Sequence, residues 1–484
     1  MLQYRQRDKT MKNILASLMF IHALMFLPSC SSITGYSASP MEQKMTEAVL
    51  RNDIKQVKTL LSQGASPNSL MPTSGAPVLS IPIVNNNLEM VKLFIGAGAN
   101  VKMKDRYGVP LLHLAKKAPM IRLLLQGGAD MYALSKGTTA YEYLAEQRVS
   151  TEEDKRKGRA ALKSANLPKN MYDAAVRNME NGWITGQDII DVVNVYRDFK
   201  YDVNRTYLEE KRSLLLIAAW AENYEFITAV LNTTNADVNI RNAGDVSIIN
   251  VITGDNKTKR SDAEYEALLS LMMKKGLLID ATCKGFKDEK VTPLMIAAKQ
   301  NYYGRVKALI KAGAKPNVLN ENRRTAINFA TDFAIVKFLI DSGIDPLNRD
   351  KWQQTAIFGQ KDVAVVELLL SKGVKVDDQD TDGQTALFSI RDPKLVEYLA
   401  KKGLDINHID RKKRSTMEED MWQILDALRF DQDVQDLFIP KFKTLMKLGI
   451  DRKHVRNAYD MAVSSNRSDM IPKVMNCIKS YAGK

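Results

Sequence analysis

Thr292-Pro293-Leu294-Met295-Ile296-Ala297-Ala298 is the clearest of a series of Thr-led apolar segments. Thr325-Ala326-Ile327, Thr355-Ala356-Ile357 and Thr385-Ala386-Leu387 repeat its opening, twelve residues after Gly313, Gly343 and Gly373 respectively. Those glycines belong to a longer set, each followed by a small or apolar residue, at 64, 98, 128, 276, 313, 343, 373, 403 and 449. Each ends an apolar stripe such as Val306, Leu309 and Ile310, or Val366, Leu369 and Leu370. Spacing of i, i+3, i+4 marks one helix face, and a glycine just past it suits the left-handed position that ends a helix.

The series resembles the ankyrin repeat, whose T-P-L-H-x-A motif opens the first helix of each pair. Gly108 to Ala115 (GVPLLHLA) is a second copy, with His113 at the motif's histidine. Asp380-Thr381-Asp382-Gly383-Gln384-Thr385 matches the turn leading into the motif, and Asp202-Val203-Asn204 and Asp237-Val238-Asn239 match the repeat's ending. The resemblance covers residues 41–482, strongest over 285–410 and weakest over 145–200. It implies an all-α, ankyrin-type helical solenoid with short hairpin loops and about ten to twelve repeats, degenerate ones included. It also implies that His113 hydrogen-bonds within its own helix start.

One departure is informative. Gly313, Gly343, Gly373 and Gly403 are 30 residues apart, against about 33 in most such repeats. The Gly-to-Thr distance holds at 12, while Thr-to-Gly falls from 21 (292 to 313) to 18 (325 to 343). The three missing residues therefore lie inside the helix pair, not in the hairpin. Asp332, Asp362 and Asp392 each stand where a second helix needs an N-cap, and Pro393 takes the first helical position, where its missing N–H costs nothing.

The N-terminus carries a different signal. Residues 11–30 read MKNILASLMFIHALMFLPSC. Lys12 precedes an apolar stretch from Ile14 to Leu27, of signal-peptide length and short for a spanning helix. Leu27-Pro28-Ser29-Cys30 resembles the lipobox of a bacterial lipoprotein, with Pro28 as a departure. This implies cleavage after residue 29 and a lipidated Cys30; an uncleaved anchor is the alternative. Met11 suffices as the start of such a signal. Ser31 follows the cysteine where an Asp would suggest inner-membrane retention, so the expected location is the outer membrane, facing the periplasm.

The organisation expected is therefore 1–29 signal peptide, 30–40 lipidated cysteine and polar tether, 41–147 N-terminal repeats, 148–204 a degenerate repeat with insertion, 205–410 further repeats, and 411–484 diverged capping repeats. Met171 to Asn204 reads as a helix pair, with Ile189, Ile190, Val193 and Val195 as its apolar positions, and 254–264 reads as an insertion between helices.

Composition narrows the function. The chain is 45% hydrophobic and 26% charged, as folded proteins are. Three cysteines exclude a disulfide-stapled scaffold and clustered-cysteine zinc sites, and four histidines leave little for a histidine-rich metal site. A net charge of +14 is consistent with an acidic partner or an anionic surface, but its even mixing disfavours nucleic acid. Asp378 to Gly383 opens like a calcium loop, yet its twelfth position is Ser389 instead of Glu. No phosphate-binding glycine loop or nucleophile elbow is present. We therefore expect no enzyme activity, no cofactor, no metal and no small-molecule substrate.

What remains is recognition of protein. The resemblance points to the concave face and the exposed hairpin tips, and the candidates are Arg106, Tyr107, Arg323, Arg324, Lys351, Trp352, Gln353 and Gln384, since Trp, Tyr and Arg dominate interface energetics. The run Arg411-Lys412-Lys413-Arg414 reads as a solvated tip or as a contact for an acidic partner or anionic lipid. The leading functional expectation is a lipid-anchored, non-enzymatic scaffold that binds one or more proteins. The alternatives are an immunity or inhibitor protein against a periplasmic toxin or hydrolase, and a cytoplasmic or host-directed effector.

Overall fold

The computed structural model describes residues 39–72, 74–105, 107–147, 156, 185–207, 211–254, 261–284, 289–430, 432–465 and 467–482. The signal segment, Cys30 and Arg106 lie outside the described residues. The chain divides into two units, one ending at Ile248 and one starting at Ile249. Both are stacks of helix pairs linked by hairpins with at most two paired residues on each side, such as Cys283 with Val291 and Lys284 with Lys290. Among the described residues, no helix is long and apolar enough to cross a membrane.

In the first unit the pairs are α1 (Pro40–Leu50) with α2 (Ile54–Ser62), and α3 (Ser80–Val84) with α4 (Leu88–Gly96). A 3-10 turn (Leu111–Leu114) then pairs with α5 (Ala118–Gln126). The fourth first-helix is α6 (Ala140–Ala145), which packs between that turn and α8 (Leu214–Trp220). Its second helix is α7 (Gly186–Asp198), which packs between α5 and α9 (Tyr224–Thr233). The Tyr141 ring of α6 stacks on Tyr196 of α7, centroids 4.0 Å apart. Lys117 to Asp188 and Arg122 to Asp198, each 2.8 Å, tie α7 to the preceding repeat. Of the helix pair read over 171–204, α7 is described, in the second-helix place of the layer whose first helix opens at Thr139; residues 171–184 lie outside the described residues. Of the apolar positions on α7, Ile189, Val193 and Val195 are buried and Ile190 is exposed.

After α10 (Ile248–Gly254), whose first residue is the last of the first unit, the second unit contains α11 (Asp262–Lys274), α12 (Pro293–Lys299) and α13 (Tyr303–Lys311). Thr292 caps α12 as the sequence pattern requires, accepting from the Met295 amide. In the 30-residue repeats the second helices keep nine residues: α14 (Phe333–Asp341), α15 (Val363–Ser371) and α16 (Pro393–Lys401). Their first helices do not survive. Ala326–Asn328 and Ala386–Phe388 are single 3-10 turns, and 356–359 is turn only. The three-residue deletion thus falls wholly on the first helix, a loss of nearly one turn at 3.6 residues per turn.

The three Asp caps hold as the sequence indicates. Asp332 accepts from Ile335 N, Asp362 from Ala364 N, and Asp392 from Lys394 N and Leu395 N. Each second helix then ends at a glycine with positive φ, for example Gly343 at 87° and Gly373 at 94°. The stripes between these caps form the core. Val306, Leu309, Val366, Leu369, Val396 and Leu399 are all fully buried, each contributing ~1.5–3 kcal/mol by leaving water. Cys283 and Cys477 are free thiols, the second only half-buried.

The chain closes with α17 (Thr416–Ala427), α18 (Gln435–Lys447), α19 (Arg452–Ser464) and α20 (Pro472–Ala482). A charge pair sits inside this block. Lys441 and Asp420, both inaccessible to solvent, meet at 2.8 Å, and Lys441 also donates to the Leu387 carbonyl at 2.7 Å. Burial pushes the Asp420 carboxyl up and the Lys441 ammonium down, each resisted by the other's charge.

Candidate protein-binding surface

The second unit sets four hairpin tips in a row: Asn320–Arg324, Asp350–Gln354, Asp380–Gln384 and Asp410–Arg414. One device builds all four. The first residue's Oδ1 accepts the amides two and four positions on, as Asp350 does from Trp352 and Gln354 at 2.9 Å each. Asp380 and Asp410 repeat this, and Asn320 does it with its amide oxygen. The same residue's carbonyl accepts the amide three positions on, and the fourth position turns left-handed: Arg323, Gln353, Gly383 and Lys413 have φ of 58°, 63°, 76° and 60°. Short Asp and Asn side chains stabilise turns in this way, by hydrogen-bonding backbone just ahead of them.

The tips are also joined to one another. Lys351 N donates to the Asn322 carbonyl, Thr381 N to that of Trp352, and Arg411 N to that of Asp382, each at 2.8 Å. Every backbone N–H of 350–354, 380–384 and 410–414 is thereby satisfied. Side chains add a second line of bonds to the remaining carboxylate oxygen. Arg324 Nε reaches Asp350 at 3.0 Å, Gln354 Nε2 reaches Asp380 at 3.1 Å, and Gln384 Nε2 reaches Asp410 at 3.3 Å. Burial works to raise the Asp410 carboxyl, but bonds from the Arg414 backbone and side chain and from Gln384, with the Arg414 charge, outweigh it and hold it below the usual carboxylate range.

The comparisons with known proteins bear on this region. Residues 261–350 match the family model of ankyrin repeats in three copies. Among solved structures, the chain is similar to the ankyrin repeat domain of Bcl-3, a unique member of the IkappaB protein family. Identity is 18%, the match covers 60% of this chain and 97% of that one, and the TM-score is 0.33. None of the curated proteins matches the chain. Ankyrin repeats are a protein-interaction module.

The ankyrin hairpins sort the sequence candidates into two groups. Arg324 and Gln384 are engaged between tips, and Arg324 also approaches Glu289 at 3.5 Å. The Arg324 guanidinium lies 4.9 Å from the Trp352 ring centroid, as does the Lys351 ammonium. Trp352 is left 37% exposed, neither free in solvent nor folded away. Arg323, Lys351 and Gln353 are exposed, and neither Arg323 nor Lys351 has an ion-pair partner among the described residues. The same holds for Arg411, Lys412 and Lys413, whereas Arg414 turns back onto Asp410 and Glu419. Tyr107 belongs to the first unit, where it is 71% exposed and its amide bonds Asp105.

Two other residues took places the sequence did not give them. The His113 ring does not bond its own helix start; its Nε2 meets the Thr138 carbonyl of the next hairpin at 3.0 Å. Burial, with the Lys104 charge, holds its ring below the ordinary value against that bond. The calcium-like loop at 378–383 is one of the hairpins, with Asp380 occupied by backbone amides and Asp378 by Arg349. Among the described residues, no group of three or more metal-binding side chains converges.

Proposed function

We propose that this chain is a non-enzymatic protein-binding scaffold that presents the hairpin row of its second unit to a protein partner. The observation carrying this reading is the division of labour within the tips. Asp350, Asp380, Asp410, Arg324, Gln354 and Gln384 hold the row together through their side chains, which leaves the side chains of Arg323, Lys351, Gln353 and the half-covered Trp352 with no hydrogen bond or ion pair among the described residues, only the Trp352 ring contacts. A surface fixed before binding loses less ordering entropy on association. Residues 11–30 support a further part of the proposal: that the chain is carried to the bacterial envelope and held there by lipid on Cys30, since acyl chains anchor by ~0.8 kcal/mol per buried CH₂.

Photo-crosslinking residues placed at Gln353 or Lys412, against controls at Lys372 and Lys401 at the C-terminal ends of the second helices, test the binding face in living cells. A discrete adduct from the tips alone is expected, and adducts from the controls alone would move the site elsewhere. Lipid labelling of wild type and Cys30→Ala tests the anchor: label lost in the variant is expected, and an unlabelled wild type removes that part of the proposal.

A further inference from the structure

Charge along the row is uneven, and the unevenness has an order. The first tip exposes Arg323 and also Glu321, whose carboxylate accepts the Lys290 amide at 3.1 Å, and the second exposes Lys351 beside Trp352. The third exposes Thr381 and Asp382 and no base. The fourth exposes Arg411, Lys412 and Lys413 together. None of these bases, nor Asp382, has an ion-pair partner among the described residues. The acid of each turn, at 350, 380 and 410, is buried under backbone amides and does not offset them at the surface.

We propose that the row binds an extended acidic segment of a protein partner, with two acidic clusters separated by an uncharged stretch that carries an aromatic side chain. This rests on the reading of the tips as the binding surface. Packed helices lie ~8–10 Å apart, so three steps from the first tip to the fourth cover ~24–30 Å. An extended chain rises ~3.3 Å per residue, so about eight or nine residues span them. One acidic cluster faces Arg411, Lys412 and Lys413, and the other faces Lys351 and Arg323. Between them the partner is neutral, because Asp382 repels a carboxylate there, and its aromatic ring lies against the exposed edge of Trp352. The Debye length at physiological salt is ~8 Å, so neighbouring bases act jointly and the contact weakens with salt.

The test uses the full chain and a fluorescein-labelled decapeptide of three Glu, Ser-Gly-Ser-Tyr and three Glu, with a second peptide carrying Gln for every Glu. Anisotropy is expected to show binding of the acidic peptide only, falling at least about tenfold when Lys351→Glu and Lys412→Glu are combined. The pair Lys372→Glu and Lys401→Glu changes net charge equally and is expected to leave binding unchanged. Asp382→Lys is expected to tighten binding of an all-Glu decapeptide by about tenfold, a gain that misfolding cannot mimic. Equal binding of both peptides, or equal loss in the two lysine pairs, would overturn the proposal. So would sedimentation showing that Lys351→Glu with Lys412→Glu dissociates a dimer, which would make the row a contact between copies. Tip crosslinks to a partner without acidic-peptide binding would overturn this inference alone; failure of both would remove the binding surface as well.

Discussion

Replacing Asp380 by Ala removes one carboxylate that serves two hairpins at once. Its Oδ1 accepts the Asp382 and Gln384 amides at 2.9 Å each, and its Oδ2 accepts Gln354 Nε2 at 3.1 Å. At a net ~1 kcal/mol per hydrogen bond, three bonds amount to ~3 kcal/mol. Asp380→Asn keeps the Oδ1 acceptor, and Asn320 already fills the equivalent place with bonds of 3.0 and 2.9 Å. The Asn variant is therefore expected to lose ~1 kcal/mol or less. Urea unfolding of the full chain reads both, followed as midpoint and slope because stacked repeats need not unfold in one step. An Ala variant within ~0.5 kcal/mol of wild type would refute the reasoning. So would an Asn variant as damaged as Ala, because the acceptor oxygen and not the charge would then be irrelevant.

Three further outcomes follow from the same geometry. Lys441→Met leaves Asp420 buried without its paired ammonium and the Leu387 carbonyl without that donor; a loss of ~3–5 kcal/mol is expected, largely recovered by adding Asp420→Leu, and a single variant as stable as wild type in thermal unfolding would contradict this. Gly383→Ala places a Cβ 3.0 Å from Arg411 Cγ at a φ of 76°, so thermal unfolding should show a loss of ~1–2 kcal/mol, unlike the non-glycine turns at Arg323, Gln353 and Lys413. Asp410 is held below its unfolded value of ~3.9, so its contribution is full above that pH and is lost as pH falls through the folded value; melting temperatures at pH 7 and pH 3 should differ more for wild type than for Asp410→Asn.

The helix ends were readable in the sequence because each is fixed by one residue type at one position: Gly343 and Gly373 at the ends, Asp332, Asp362 and Asp392 at the starts. The loss of the first helix was also present, as the distance from Thr292 to Tyr302, ten residues, falling to seven from Thr325 to Asp332. The place of α7 was less legible: it is followed by Lys200, left-handed at φ 58°, where α5 is followed by Gly128, and the first helix of its layer opens far back in sequence at Thr139. The binding candidates were chosen for exposure, a property of single residues. What separates Arg324 and Gln384 from Arg323 and Lys351 is pairing between tips, 26 residues apart in sequence. That pairing leaves only a periodic trace, a long donor just before each Thr and an acid 26 positions later.

The claim on which the rest depends is that the tips form one joined surface before any partner arrives. Hydrogen exchange of three amides tests it. Lys351, Thr381 and Arg411 each donate to the preceding tip. The account predicts that all three exchange far more slowly than the same amides in an unfolded chain. Exchange at Lys351, Thr381 and Arg411 at the unfolded-chain rate would contradict it.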